Sequence, residues 1–526
     1  MGGVRVSGPG RLNHRFMLPP TIPSAPFPAS LLWVLPLRHC SNNHKKTCPR
    51  RDFVIYSQRM KTGFLLAVAA YAGVLWAAGL RLPRRLEGLD SFFLASRRLG
   101  SLRVAFSLCA SWIGAASLLV STDEAFWDGF SAIWIIGIPA VATLLVLLTL
   151  LAPIRAAAGS TLSDLMERVY GKTARTLTSV LIVWYMTVLA ASQMIAAGSF
   201  LGAFLGTSPI SSLAIAAGIV LVYSAAGGLI SVSRTHVVQV VLLVAGVTGM
   251  IAALASRTSW GAVRSAAGQL GKGSYFDMFA HADRNILVAL SFVLAWTISP
   301  IAWQRMQAAR SEGAARRGLL GAALLLAVFY TGIVAAGMLF LPLFPHGGSG
   351  VPLVTAFISG ESGSFLGGLL FVTVLAAILS TMDAALNAGA FTLTKDLLGR
   401  TAGSGPGNRP LFLARVSTVA LALAAFLVAT RFNDILKTLG LASKVIAEGL
   451  LIPGLAALFL KKKLPWAGLL SLACGGGYAV VCFLEEVGLG LVSIPAWPWS
   501  LPLGVGLGAA GFLAGLLVER LRCRRT

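Results

Sequence analysis

Residues 376–383 read Ala376-Ala377-Ile378-Leu379-Ser380-Thr381-Met382-Asp383, two adjacent hydroxyls and a carboxylate inside an apolar stretch long enough to cross a bilayer. In hydrocarbon a hydroxyl must find a partner, and an ionisable group is costly enough that a functional role is its default reading. Neutral oxygens of this kind suit a hard cation that must bind and leave. The competing reading is that both hydroxyls back-bond to carbonyls one turn earlier. A second pair, Lys444 and Glu448, is spaced i, i+4 and so shares one helix face. At about 1.5 Å per residue, Lys444 falls near the middle of its apolar run. It either neutralises Glu448 inside a bundle or meets an acidic group on a bound solute.

The elements that carry these groups are membrane helices. Hydrophobic residues make up 56% of the 526 and charged residues only 12%. A crossing takes roughly 20 helical residues. Apolar runs bounded by breakers predict thirteen spans, near 62–80, 104–121, 131–154, 176–204, 210–230, 236–255, 284–303, 318–342, 365–391, 411–430, 434–460, 464–484 and 498–518. The expected fold is an all-α polytopic membrane protein, with residues 60–526 as one transmembrane body.

The net charge of +24 does not indicate nucleic acid, because the basic residues collect in alternate loops. One set of loops and the carboxyl end holds 26 Lys and Arg, and the other set holds six once residues 1–61 are set aside. That bias predicts an external amino end and a cytoplasmic carboxyl end in the plasma or inner membrane. Residues 1–59 carry nine basic residues and one acid, Asp52, without a spanning run, and Met60 opens a plausible start. They read as a disordered tail, a removed targeting peptide or a mis-assigned start.

Enzyme and metalloprotein classes lose support. The six cysteines show no CxxC and the six histidines no pair at metal-ligand spacing. Neither a GxxxxGK[ST] loop nor a nucleophile elbow is present. The expectation is a transporter without cofactor, driven by an ion gradient.

Several ordered stretches then resemble one family. They are Asp90-Ser91-Phe92-Phe93-Leu94-Ala95-Ser96-Arg97-Arg98-Leu99-Gly100, Ser107-Leu108-Cys109-Ala110-Ser111-Trp112-Ile113-Gly114, Thr161 to Gly171, Tyr223 to Leu229, Trp303 to Arg310, and the Ser380 segment ending Ala385-Leu386-Asn387. Over about 90–460 the chain resembles a sodium:solute symporter. The resemblance implies a LeuT-like core of ten helices, about 102–460, built as two five-helix repeats of inverted topology. Sites in such folds lie near the midplane at broken helices; Gly114 and the stretch Thr297 to Pro300 are the candidate breaks.

Carried over residue by residue, the resemblance implies sodium ligands at the carbonyls of Ala110, Ile113 and Ala377 and the hydroxyls of Ser380 and Thr381. It nominates Trp112, Ser117, Gln193, Trp296 and Pro300 for the solute, with Lys444 added from its unusual position. Trp296 and Pro300 resemble the proline-transporting branch, whereas the sugar branch's polar positions read Trp112, Ala116, Phe292 and Ala295 here. One departure is His236, which stands where the family commonly has an Asp thought to help sodium leave. Asp383, one turn inward of Ser380, could supply that carboxylate, making His236 and Asp383 the candidate ion exit. The reading is sodium-driven uptake of a small organic solute such as an amino acid or carboxylate. A proton-coupled transporter using His236 and Asp383, or a membrane sensor on a symporter-like domain, are the alternatives.

Overall fold

Three interruptions of apolar helical runs, at Ile113, at Gly228 and between Thr297 and Pro300, organise the fold. The computed structural model describes residues 50–81, 88–157, 161–344, 350–399, 409–432, 434–485 and 497–523, with 50–60 described as helix only. The reading of residues 1–59 lies outside the described residues apart from the helix beginning at Arg50. Residues 55–526 form one unit, and no strand occurs among the described residues.

The first span is α1 (Arg50–Gly79), followed by a short α2 (Gly88–Leu94). Next, α3 (Ser101–Trp112) stops at Ile113 and resumes through a wide turn, Ala116–Val120, into α4 (Ser121–Asp128). The chain returns through α5 (Gly137–Thr149) and α6 (Leu151–Ala156) to α7 (Leu162–Tyr170), α8 (Lys172–Leu205) and α9 (Pro209–Ala255). Then come α10 (Trp260–Gln269), the pair α11 (Ala282–Thr297) and α12 (Pro300–Ala308), α13 (Glu312–Leu339), α14 (Leu353–Gly360) and α15 (Phe365–Thr392). The last part holds α16 (Arg409–Ala429), α17 (Ile435–Gly449), α18 (Leu451–Phe459), α19 (Pro465–Ser471), α20 (Gly477–Leu484) and α21 (Leu501–Cys523).

Nine helical stretches among the described residues are long and apolar enough to span a membrane, and eleven if each bent pair counts as one. The 47 residues of α9 would run to about 70 Å at 1.5 Å each, more than twice a hydrocarbon core of about 30 Å. They kink at Gly228, whose φ of 53° and ψ of −138° leave the helical region. A side chain there would overlap the carbonyl oxygen and ring of Phe92, so the position requires glycine. Counting α9 as two passes, and α3 with α4 as a broken pass separate from α5, restores the thirteen spans read from sequence.

The central helices are α8 and α15, with 78% and 72% of their most apolar windows buried, against 28% for α21. Every residue from Thr373 to Thr392 is buried. Ser380 therefore sits inside the protein, not in lipid.

The junction of α7 and α8 is tied by ions. Thr161 and Asp164 cap α7 reciprocally, Arg175 pairs with Glu167 at 2.5 Å and Asp164 at 3.4 Å, and Lys395 reaches Asp164 at 2.9 Å. Burial works against the charge on Asp164, but Lys395, the Thr161 amide and Arg175 together hold its carboxyl below the usual range.

Candidate ion and solute site

Sterics and hydrogen bonding explain the break in α3. Ile113 adopts φ −85° and ψ 82°, which turns its carbonyl out of the helical direction. Side chains satisfy the neighbouring groups: the Ser117 hydroxyl donates to the Trp112 carbonyl at 2.9 Å and lies 3.3 Å from the Gly114 amide, while the Ala115 amide donates to Gln193 Oε1 at 3.0 Å. Gly114 is required by its neighbours, since a Cβ there would lie 2.9 Å from both Gln193 Oε1 and Thr381 Oγ1.

The second break separates α11 from α12, bent by 44°. Pro300 occupies the first helical position, where a missing amide costs nothing. The Thr297 carbonyl left over accepts from Trp303 Nε1 at 2.9 Å. Both breaks fall where glycine and proline placed them.

Across from the α3 break, the Ser380 hydroxyl donates to the Ala110 carbonyl at 2.7 Å and lies 3.1 Å from the carbonyl of Ala377 on its own helix. Thr381 Oγ1 lies 3.5 Å from the same Ala110 oxygen. The shorter bond runs between helices. Elsewhere buried hydroxyls such as Thr143, Thr187 and Thr418 bond only backward, to Pro139, Val183 and Ala414, which is the ordinary membrane pattern. Ser380 and Thr381 depart from it, and four of the five oxygens named from sequence meet here, with Ile113 at the adjacent turn.

A narrow cavity of about 30 Å³ lies between the two breaks, lined among others by Trp112, Ser117, Gln193, Trp296 and Thr381. That volume holds only about two waters. Trp112 and Trp296 stack with centroids 5.4 Å apart, and Phe292 stacks on Trp296 at 5.1 Å. Pro300 does not line the cavity, although its neighbours Ser299 and Ile301 do. No charged side chain lines it. Thr381 belongs to both the cavity and the oxygen cluster, so the two sites share a residue.

Lys444 does not line this cavity: it donates to Ser500 Oγ at 2.6 Å, lies 3.8 Å from Glu448 and sits over the Tyr478 ring at 5.3 Å. The helical register of α17 sends Leu439 to the cavity and turns Lys444 toward α20 and α21. Glu448 packs against Gly504, where even a Cβ would collide with its carboxylate.

Asp383 and His236 are both fully buried and 2.8 Å apart. The other Asp383 oxygen accepts from Tyr223 at 2.5 Å. His236 Nδ1 lies 3.0 Å from Ser107 Oγ, which also accepts from Arg305 Nε at 3.3 Å. Arg305, counted from sequence among loop charges, is instead wholly buried. Sequence reasoning missed the roles of Tyr223, of Arg305 and of Tyr330, whose hydroxyl lies 2.8 Å from Ser117 Oγ; Tyr223 and Arg305 stood in stretches that carry the family resemblance, and Tyr330 was signalled only as a polar residue within an apolar run.

Two breaks facing a buried oxygen cluster, in a bundle of membrane-spanning helices, are features of a LeuT-like membrane fold. A solved structure of a Na+-coupled sialic acid symporter shares this fold, with a TM-score of 0.72, 16% identity, 87% of this chain covered and 97% of the other. The chain belongs to the sodium:solute symporter family, whose model matches residues 92–471. It is similar to a sodium/glucose cotransporter of Vibrio parahaemolyticus, 25% identical over 441 residues covering 75% of this chain and 79% of the relative. It is also similar to the high-affinity proline transporter PutP of Bacillus subtilis (strain 168), 24% identical, covering 76% and 87%. A sodium/proline symporter of Staphylococcus aureus is 26% identical, covering 70% and 75%.

Proposed function

We propose that the protein carries sodium down its gradient together with a small organic solute that bears no net charge, with an amino acid of the proline type as the first candidate. The observation that carries this is the meeting of the Ala110 and Ala377 carbonyls with the Ser380 and Thr381 hydroxyls at the α3 break. A sodium ion there would replace the hydroxyl-to-carbonyl bonds and join α3 to α15. Because Thr381 also lines the solute cavity, each ligand would favour the other, as symport requires.

The cavity's uncharged walls favour a solute whose charges cancel. The α12 N-terminus, where Ser299 makes no capping bond, offers a positive dipole end to a carboxylate. The aromatic faces of Trp112 and Trp296 suit an apolar ring. Asp383 and His236 lie one turn inward and form the exit side in this reading, with the amino end outside, the carboxyl end in the cytoplasm and the plasma or inner membrane as the site of action.

Proteoliposomes loaded without sodium test this. Uptake of labelled L-proline on an inward sodium gradient, absent with choline, is expected. Uptake that follows a pH gradient and ignores sodium would refute it in favour of proton coupling.

A further inference from the structure

A groove of about 350 Å³ opens on the outer surface between α5 and α13, and it lies outside the transport sites described above. Its lining includes Gly137, Ile138, Val141, Ala142, Ala327 and Tyr330. The volume is in the range of ligand-sized clefts, and it comes from small residues facing one another across two helices. Gly137 matters most, because a Cβ there would stand 3.0 Å from the Tyr330 Cβ and push the ring into the groove.

The position and chemistry of the groove identify its occupant. Ala327 and Tyr330 lie within about 8 Å of the midpoint of α13 at 1.5 Å per residue, inside the hydrocarbon core. On the same helix Leu324 is 68% and Val328 67% exposed, side chains that only lipid tails would cover in a membrane. No charged group lines the groove. The Tyr330 hydroxyl is turned inward, 2.8 Å from Ser117 Oγ and 3.2 Å from the Trp112 carbonyl. Thr331 adds one further hydroxyl to the lining, too few side-chain partners for a cluster in which each water needs two to four.

We propose that this groove seats a lipid acyl chain, and that Tyr330 transmits its occupancy to the α3 break. The ring of Tyr330 forms part of the groove, and its hydroxyl holds the Trp112 carbonyl that the break set free. A chain pressing on the ring therefore biases the position of Trp112 and Ser117. The coupling half rests on reading the cavity beside them as the solute site, and neither arm of the test requires a solute.

The full-length protein is reconstituted in bilayers containing phosphatidylglycerol with a mid-chain diazirine, and photolabelled sites are mapped. Labelling concentrated on 133–145 and 327–331, and lost in Ala142→Trp, is expected. Labelling no stronger than on the exposed α16 face at Phe412 and Leu423, or unchanged in Ala142→Trp, overturns the seat. If Ala142→Trp does not fold, Ala327→Leu fills the same groove less severely. For the coupling, hydrogen exchange of the 113–118 amides is compared with and without the filling substitution. A change of about fivefold or more, the lower end of common coupling, is expected with Tyr330 present and none in Tyr330→Phe. No change in either background overturns it.

Discussion

Ser380→Ala removes one hydroxyl from the oxygen cluster and leaves the rest of α15 in place. The Ser380 hydroxyl reaches the Ala110 carbonyl at 2.7 Å, so as a sodium ligand it sits between two elements that the ion must join. A hydrogen-bond-scale interaction with a charge contributes about 1.5–3 kcal/mol, which at 1.4 kcal/mol per decade is roughly a ten- to hundredfold weaker sodium Kd. The readout is thermal stability in sodium against choline at equal ionic strength and pH. Sodium at about 100 times Kd stabilises by about 2.7 kcal/mol, and a thirtyfold weaker Kd leaves about 0.9 kcal/mol of that. Thr187→Ala is the control, because its hydroxyl bonds only to Val183 at 2.7 Å on the same helix. A sodium Kd for Ser380→Ala within about twofold of wild type, or an equal loss in Thr187→Ala, refutes the site; the first result would mean that Ser380 is a packing hydroxyl.

Gly114→Ala brings a methyl to 2.9 Å from both Gln193 Oε1 and Thr381 Oγ1; overpacking of this kind costs about 1–3 kcal/mol, and equilibrium binding should show sodium and solute affinity falling together. Lys444→Met removes the hydrogen bond to Ser500 and the cation 3.8 Å from Glu448, and should destabilise by about 1–3 kcal/mol in denaturant melts, with the solute KM staying within about twofold. A solute-selective loss in Lys444→Met would reinstate it as a solute ligand. Asp164 is held below the usual carboxylate range in the folded protein, so its ion pairs stabilise above the unfolded pKa of about 3.9 and lose that effect as pH falls through the lower folded value. The stability gap between wild type and Asp164→Asn should therefore be full near neutral pH and close in acid, as read by melting curves across that range.

The sequence by itself determined a good deal of this protein. Its apolar runs specified membrane helices, because a bilayer admits few other backbones. Pro300 specified where one of those helices breaks, since a missing amide does not depend on distant neighbours; Gly114 marked the other break, but what demands glycine there is the approach of Gln193 and Thr381 from elsewhere in the chain. Its ordered motifs specified the family. Facing was not legible in the same way. α15 is apolar on nearly every side and buried throughout its inner half, so no periodic stripe announces which neighbour each residue meets. Only the tertiary structure brought the Ser380 hydroxyl to Ala110, 270 positions away in sequence. It also buried Arg305 beneath Ser107 and turned Lys444 toward Ser500 and away from the cavity. Those contacts depend on how helices pack against one another, and composition along a single helix does not encode that once all its faces are covered.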